Sequence, residues 1–198
     1  MSAPPTPKDN ESARFHRSIR AAEELFKRIG FRAVTMELVA REAQVSKATL
    51  YSYFKNKDEL FVGVCERMAR LLRAAVEHAL TQLDAPLDTR LSQAVIAKHR
   101  LVFTFVRGSA HSAELFSSKD AMAGDIFREL DAAILRLLAD AMAKDPQLSP
   151  NAERLARALY FGSAELASRC ATAADMETEL SAFAGMHLTG ARALARQE

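Results

Sequence analysis

Apolar residues recur at helical spacing along almost the whole of this chain. In the first predicted helix, residues 11–29, four apolar side chains beginning at Phe15 stand at i, i+4, i+7 and i+11, which places them on one face of an α-helix. A second stripe of this kind runs through residues 60–80. No segment alternates polar and apolar residues as a half-buried strand does, and the 198 residues include only 7 glycines and 6 prolines. The pattern predicts an all-α fold of about nine helices.

Glycine and proline positions set the expected helix boundaries. Gly30 ends the first helix, because glycine tolerates the left-handed conformation that is common just after a helix. A long fourth helix opens at Asn56 and ends at Asp84-Ala85-Pro86, since proline cannot continue it. The rest of the chain predicts helices over residues 88–107, 110–117, 120–144, 150–171 and 175–196.

Two short helices joined by a tight turn precede the long fourth helix. Thr35 begins the first of them, because its hydroxyl can accept a hydrogen bond from an early backbone N–H, and this helix runs to about Ala43. Gln44-Val45 forms the turn. Ser46 is then the expected N-cap of a third helix.

This third helix, residues 47–54, has the composition of a helix that enters DNA. Leu50 and Phe54 face inward, and the other positions carry mostly small or polar side chains. A major groove about 12 Å wide admits one helix. The first 60 residues hold 11 lysines and arginines against 8 aspartates and glutamates, whereas the whole chain carries a net charge of +2, which suits a polyanionic partner. The sequence therefore predicts a helix-turn-helix over about residues 37–56 that binds double-stranded DNA.

Several other classes of protein lack support in the sequence. It contains no phosphate-binding glycine loop, no His-Glu-x-x-His and no Cys-x-x-Cys, so we expect no cofactor, no metal and no enzymatic activity. No apolar run approaches the ~20 residues that cross a membrane, and the proline-rich start is not a signal peptide. We therefore expect a cytoplasmic protein without a membrane partner.

Residues 30–60 resemble the DNA-binding headpiece of the tetracycline-repressor (TetR) family. The most specific part is Thr49-Leu50-Tyr51-x-Tyr53-Phe54-x-x-Lys57-x-x-Leu60. The resemblance implies a homodimeric repressor that places its third helix in the major groove of each half of a palindromic operator. It also implies a C-terminal domain that binds a small organic ligand, with the fourth helix transmitting the change that releases DNA.

The resemblance also implies which residues contact DNA. Five positions match residues that commonly touch DNA in the family: Thr35, Thr49, Tyr51, Tyr53 and Lys57. Four less constant positions could set the sequence preference: Ser46, Lys47, Ala48 and Ser52. Three residues depart from the family pattern: Leu38 replaces a common acid, and Gln44 and Ala48 replace common glycines. If residue 44 has a positive φ, glutamine there costs roughly 1 kcal/mol.

These inferences divide the chain into a flexible N-terminal arm (1–10), a helix-turn-helix DNA-binding domain (11–57) and a helical ligand-binding and dimerisation domain (58–198). Candidate residues of the ligand pocket are His99, Phe103, Arg107, His111 and Phe127. Packing in the core remains open for each of these five.

The last two predicted helices are the candidates for a dimer seam, because two such helices from each subunit could form a four-helix bundle. The candidate residues are Leu155, Leu159, Gly162, Ser163, Leu166, Leu180, Phe183, His187, Leu188 and Ala191. Packing of these stripes within their own domain remains the alternative.

Two functional alternatives also stay open. One is a DNA-binding regulator that has no small-molecule inducer, or that senses oxidation through Cys65 or Cys170, although both cysteines lie in apolar helical patterns typical of reduced core thiols. The other is a helical enzyme, which the lack of a clustered catalytic set disfavours. The operator and the effector are not specified by the sequence.

Overall fold

A computed structural model describes residues 7–107 and 110–196, without the side chains of residues 7–9, 106, 107, 112 and 116. The described residues form helices and no strands, which confirms the all-α prediction. In chain order the helices are α1 (Pro7–Ala33), α2 (Met36–Glu42), α3 (Lys47–Tyr53), α4 (Lys57–Leu80), α5 (Leu87–Arg107), α6 (Ser112–Met142), a 3-10 helix (Ser149–Asn151), α7 (Ala152–Arg169) and α8 (Ala173–Ala195).

Helix α1 begins at Pro7 rather than at Glu11. The fixed φ of proline suits the first position of a helix, so residues 7–10, expected to belong to a flexible arm, are helical; residues 1–6 of that arm lie outside the described residues. Gly30 interrupts the helix with φ 80° and ψ 161°. The positive φ was predicted, but this ψ is extended rather than left-handed helical. Essentially only glycine adopts this combination.

Helix α6 is divided into two helical segments by a kink at Ala123, so two segments are present as predicted over 110–117 and 120–144, but the break lies at Ala123 rather than at Ser117-Ser118. Ser117 and Ser118 were expected to break the helix, yet they lie within α6, because serine lowers helix stability by only a few tenths of a kcal/mol. The irregular residue is Ala123, with φ −133° and ψ 17°.

The chain folds into two compact units. The N-terminal unit contains the chain up to Met68 together with residues 105–126, and the C-terminal unit contains residues 69–104 and those from Phe127 onward. Aromatic side chains form much of the first core: Phe26 and Phe61 meet edge to face with ring centroids 5.3 Å apart.

In the C-terminal unit, Arg192 of α8 links distant parts of the chain. Its guanidinium donates to both carboxylate oxygens of Asp88 at 2.6 and 2.7 Å and to Asp145 at 2.8 Å. None of the helices in the described ranges is long and apolar enough to cross a membrane. The described residues also contain no cluster of three His, Cys, Asp or Glu that could hold a metal ion.

Candidate DNA-binding surface

Short hydrogen bonds define the first turn of α3. The Ser46 hydroxyl accepts a hydrogen bond from the Thr49 backbone N–H at 3.0 Å, and its Oγ lies 2.8 Å from the Thr49 Oγ1. The Ser52 hydroxyl donates to the Thr49 carbonyl at 2.7 Å. Because a helix of two turns has little stability of its own, this N-cap and the fully buried Leu50 hold α3 in place.

The turn between α2 and α3 closes on Gln44, whose φ is 53°. The Gln44 N–H donates to the Arg41 carbonyl at 3.2 Å, and the Val45 N–H donates to the Ala40 carbonyl at 3.0 Å. This pair of bonds is the Schellman motif, in which the left-handed position usually holds glycine. Glutamine therefore adopts a conformation that costs a side-chain-bearing residue about 1 kcal/mol or more.

The outer face of α3 carries four exposed residues, Lys47, Ala48, Tyr51 and Ser52. The Lys47 ammonium forms an ion pair with Glu37 of α2 and lies 5.8 Å from the centroid of the Tyr51 ring. The hydrogen bond from Lys47 lowers the pKa of the Glu37 carboxyl and raises the pKa of Lys47. Both side chains are exposed to solvent, so Lys47 can exchange Glu37 for another anion.

Tyr53 and Thr35 make internal contacts in the same region. The Tyr53 hydroxyl donates to the Glu11 carbonyl at 3.3 Å, and its ring packs edge-on against Phe15. The Thr35 hydroxyl accepts from the Leu38 N–H at 3.2 Å as the N-cap of α2. Each side chain thus has a structural role beside any contact it makes with DNA.

Lys57 also has partners within the chain. Its ammonium donates to the Phe31 and Arg32 carbonyls at 2.9 and 3.2 Å and lies 4.5 Å from the centroid of the Phe31 ring. Sequence reasoning identified Lys57 only as a phosphate ligand. It missed that this lysine stabilises the carboxyl end of α1, because the pairing joins residues 26 and 25 positions apart.

The same segment of α1 is bound by the first turns of α6. Glu114 accepts a hydrogen bond from the Arg32 backbone N–H at 2.8 Å, and His111 lies beside Glu114 with 3.8 Å between Nδ1 and Oε2. A Cβ atom on Gly30 would come within 2.5 Å of Glu114 Oε2. Sequence analysis did not single out Glu114, and it assigned His111 to a ligand pocket.

Comparisons with known proteins agree with this geometry. The family described as bacterial regulatory proteins, tetR family, matches residues 19–64. A putative TetR-family transcriptional regulator from Mesorhizobium loti superposes with a TM-score of 0.69 at 20% identity, covering 90% of this chain and 96% of that one. Residues 19–64 are thus similar to TetR-family regulators, and the superposition shows a shared fold over most of the chain.

Sequence relatives of this chain are described as HTH-type transcriptional regulators. The uncharacterized HTH-type regulator YhgD of Bacillus subtilis (strain 168) is 33% identical over 79 residues, 40% of this chain and 41% of the relative. HbdR, an HTH-type regulator of Aromatoleum sp. (strain CIB), is 33% identical over 84 residues, 42% of this chain and 36% of the relative. The match thus spans about two fifths of these relatives' length.

The five predicted pocket residues of the chain do not lie in one unit. His99, Phe103 and Phe127 belong to the C-terminal unit, whereas Arg107 and His111 belong to the N-terminal unit. The Arg107 side chain lies outside the described residues. Phe103 is half-buried against a cluster of apolar side chains that includes Met176.

His99 is buried and hydrogen-bonded, with 3.1 Å between its Nε2 and the Ser163 Oγ. Ser163 donates its single hydroxyl proton to the Tyr160 carbonyl at 2.8 Å, so His99 is the donor in the first bond. Burial, with a smaller effect of Lys98, lowers the pKa of His99 to about 3. His99 is therefore a neutral imidazole at physiological pH.

The predicted dimer residues of α7 and α8 pack largely against each other within the C-terminal unit. Leu159, Ser163, Leu180 and Leu188 are fully buried. The remaining contacts continue this seam: Gly162 abuts the Phe183 ring, and His187 Nε2 lies 3.0 Å from the Leu155 carbonyl. Leu166 packs on the apolar cluster of Met176, and Ala191 is half-buried.

Proposed function

We propose that this protein is a homodimeric repressor that binds a palindromic operator through α3 and leaves it when a small organic ligand binds. The observation that carries DNA binding is the outer face of α3, where Lys47, Ala48, Tyr51 and Ser52 are exposed while Leu50 on the opposite face is fully buried. Small and polar groups on a rigid exposed helix are what major-groove recognition requires. A repressor of this kind acts in the cytoplasm.

Selection of DNA fragments by the purified protein, followed by mobility-shift titration at fixed salt, tests the proposal. We expect Tyr51→Ala to abolish or strongly weaken binding to the selected operator, and Lys47→Ala to weaken it and reduce the salt slope by about 1. Lys144→Ala, at an exposed lysine in the C-terminal unit, is the matched control. Equal affinity for all four proteins, or no selected sequence, would contradict the proposal.

The support for a dimer is the outer face of α7 and α8. Phe161, Met186 and Leu194 are 50%, 69% and 67% exposed, and exposed apolar side chains on adjacent helices are typical of a homodimer interface. Because the predicted seam residues are largely engaged within the chain, we place the dimer contact on this outer face.

Sedimentation measurements test that placement. We expect Met186→Asp to shift the protein from dimer to monomer. Leu83→Asp removes another large exposed side chain, 78% exposed, and should leave the dimer intact. A monomeric wild-type protein, or a Met186→Asp variant that sediments as the wild type does, would argue against this interface.

Release by a ligand finds support in the contact between α6 and the carboxyl end of α1. Glu114 binds the Arg32 N–H, and Lys57 binds the Phe31 and Arg32 carbonyls. Movement of the first turns of α6 would therefore act directly on a peptide segment that ends three residues before the Thr35 cap of α2. The alternative of cysteine redox sensing is disfavoured, since Cys65 and Cys170 are both buried and reactive thiols need exposure and a low pKa.

A further inference from the structure

A charged side chain lies in the interior of the C-terminal unit without a hydrogen-bond acceptor. Lys98 of α5 is only 8% exposed, and its ammonium lies 4.1 Å from the centroid of the Tyr160 ring. Lys98 Nζ forms no hydrogen bond or ion pair with another described residue, and it is not among the fully enclosed side-chain atoms that lack a partner, so it keeps some contact with solvent. Buried ammonium groups are normally paired, so this one has donors available for another partner.

The neighbouring polar groups are already committed to one another. The Tyr160 hydroxyl donates to Asp131 at 2.5 Å. His99 and Ser163 are joined as described above, with Ser163 bound to the Tyr160 carbonyl. Burial is the larger effect on Lys98 and lowers its pKa to about 8. The negative charge of Asp131, which forms no ion pair with Lys98, raises the pKa and partly opposes this effect. Lys98 is thus mostly charged at pH 7.

The surface of α5 around Lys98 is apolar. Ala94 and Val95 precede it by four and three residues, and Leu101 and Val102 follow it at the same spacings, so all four lie on its side of the helix. The first two are buried, whereas Leu101 and Val102 are only half-buried. An apolar helix face that is incompletely covered beside a buried cation can accept an apolar molecule with one negative charge.

We infer that Lys98 is the counter-ion for the carboxylate of a monocarboxylic acid, whose apolar body packs against the Leu101–Val102 side of α5. A single cation with Asp131 nearby favours a monoanion over a phosphate dianion, since a second negative charge would have no partner. The inference deepens the proposed function, because it names the chemical class of the effector, and it rests on that proposal for the consequence of binding.

Calorimetry and thermal shift on the full-length protein test the ligand class. The probes are sodium benzoate and sodium decanoate, each compared with its neutral amide. We expect at least one carboxylate to bind at least tenfold more tightly than its amide, and the affinity to fall above about pH 8, where Lys98 loses its proton. His99 stays neutral through this range and Tyr160, whose pKa is raised by burial and by Asp131, stays protonated.

The variants Lys98→Met and Lys144→Met locate the binding. Lys98→Met should lose at least tenfold in carboxylate affinity, keep its affinity for the amide, and stay folded, because methionine fills a similar volume without a charge to bury. Lys144→Met, at an exposed position, should match the wild type. If Lys98→Met does not fold, Lys98→Gln is measured in its place.

The inference is overturned if neither carboxylate binds, if the amides bind equally well, or if Lys98→Met retains the affinity. Tighter binding of benzylamine than of benzoate would make Asp131 the recognising group and would equally overturn it. A mobility-shift titration of the ligand-free proteins with the selected operator distinguishes failure of this inference from failure of the proposed function. An operator complex that forms in all variants but does not respond to carboxylates leaves the repressor proposal standing, whereas carboxylate binding without any operator complex rejects the repressor alone.

Discussion

Gly30→Ala should destabilise the N-terminal unit for two reasons that can be measured separately. The first is the backbone: φ 80° with ψ 161° is essentially restricted to glycine, and another residue there costs on the order of 1–3 kcal/mol. The second is the new Cβ atom, which would lie 2.5 Å from Glu114 Oε2 and 2.9 Å from His111 Nδ1. The side chain of Glu114 can move away, but it then loses the Arg32 N–H.

The expected size follows from these terms. A hydrogen bond to a carboxylate contributes about 1.5–3 kcal/mol when buried, and about 1 kcal/mol is reasonable here because the Glu114 side chain is 24% exposed. Alanine restricts the unfolded chain and returns roughly 0.4–1 kcal/mol. The net loss is about 2 kcal/mol, which lowers the Tm by about 4–8 °C for a chain of this length.

Thermal unfolding of Gly30→Ala, Glu114→Ala and the double variant is the assay. Because Glu114→Ala already removes the displaced carboxylate, the double variant should be less destabilised than the sum of the two single variants by about 1 kcal/mol. Arg32→Ala is the control: it keeps the backbone N–H and removes only an ion pair with Glu114 at 3.8 Å, which contributes little because the Arg32 side chain is 93% exposed. A Gly30→Ala protein that melts with the wild type would refute the backbone argument, and strict additivity would refute the contact with Glu114.

Three further predictions concern single positions. Gln44→Gly should raise the Tm by about 1–2 °C, because relief of about 1 kcal/mol of backbone strain exceeds the entropic cost of a more flexible unfolded chain. Gln44→Ala is the control and should have the Tm of the wild type. Equal Tm values for the glycine and alanine variants would count against strain at this turn. Lys57→Met should lower the operator affinity, and it should lower the free energy of unfolding by about 1 kcal/mol because it removes two hydrogen bonds to carbonyls. Tyr51→Phe, at an exposed residue, is the surface control and should change the free energy of unfolding by no more than about 0.5 kcal/mol. An unchanged Tm for Lys57→Met would show that these bonds do not stabilise α1. Cys65 should resist iodoacetamide at pH 8 until the protein unfolds, because burial raises its pKa to about 12; rapid labelling of the native protein would revive the redox alternative.

Spacing alone located the helix-turn-helix with useful accuracy. The caps at Thr35 and Ser46, the turn at Gln44 and the positive φ of Gly30 all appear as predicted. Each of these features is a hydrogen bond or a backbone angle that involves residues within about five positions of one another. The boundary errors, at Pro7 and at Ser117-Ser118, arose where proline and serine were taken to exclude a helix, although proline suits its first position and serine disfavours it only weakly.

The helical spacing of apolar residues was less informative about packing in the C-terminal half. It identified α7 and α8 as amphipathic, but each helix has one strong apolar face and a second, interrupted one. The regular face, which includes Leu159 and Leu180, is buried within the chain, and Phe161 and Met186 on the other side stay exposed. A periodic pattern indicates which residues share a face, but it cannot show which partner covers that face.

The sequence by itself determined the all-α class, the positions of the short helices and the polar outer face of α3, because these depend on interactions close along the chain. Only the tertiary structure decided that Glu114 binds the Arg32 N–H across 82 positions, that Lys57 stabilises the end of α1, and that Lys98 is buried beside Tyr160. Lysine and glutamate are read as surface residues from sequence, since solvation favours exposure. Their burial and partners depend on which helices meet, and that depends on the packing of the whole unit.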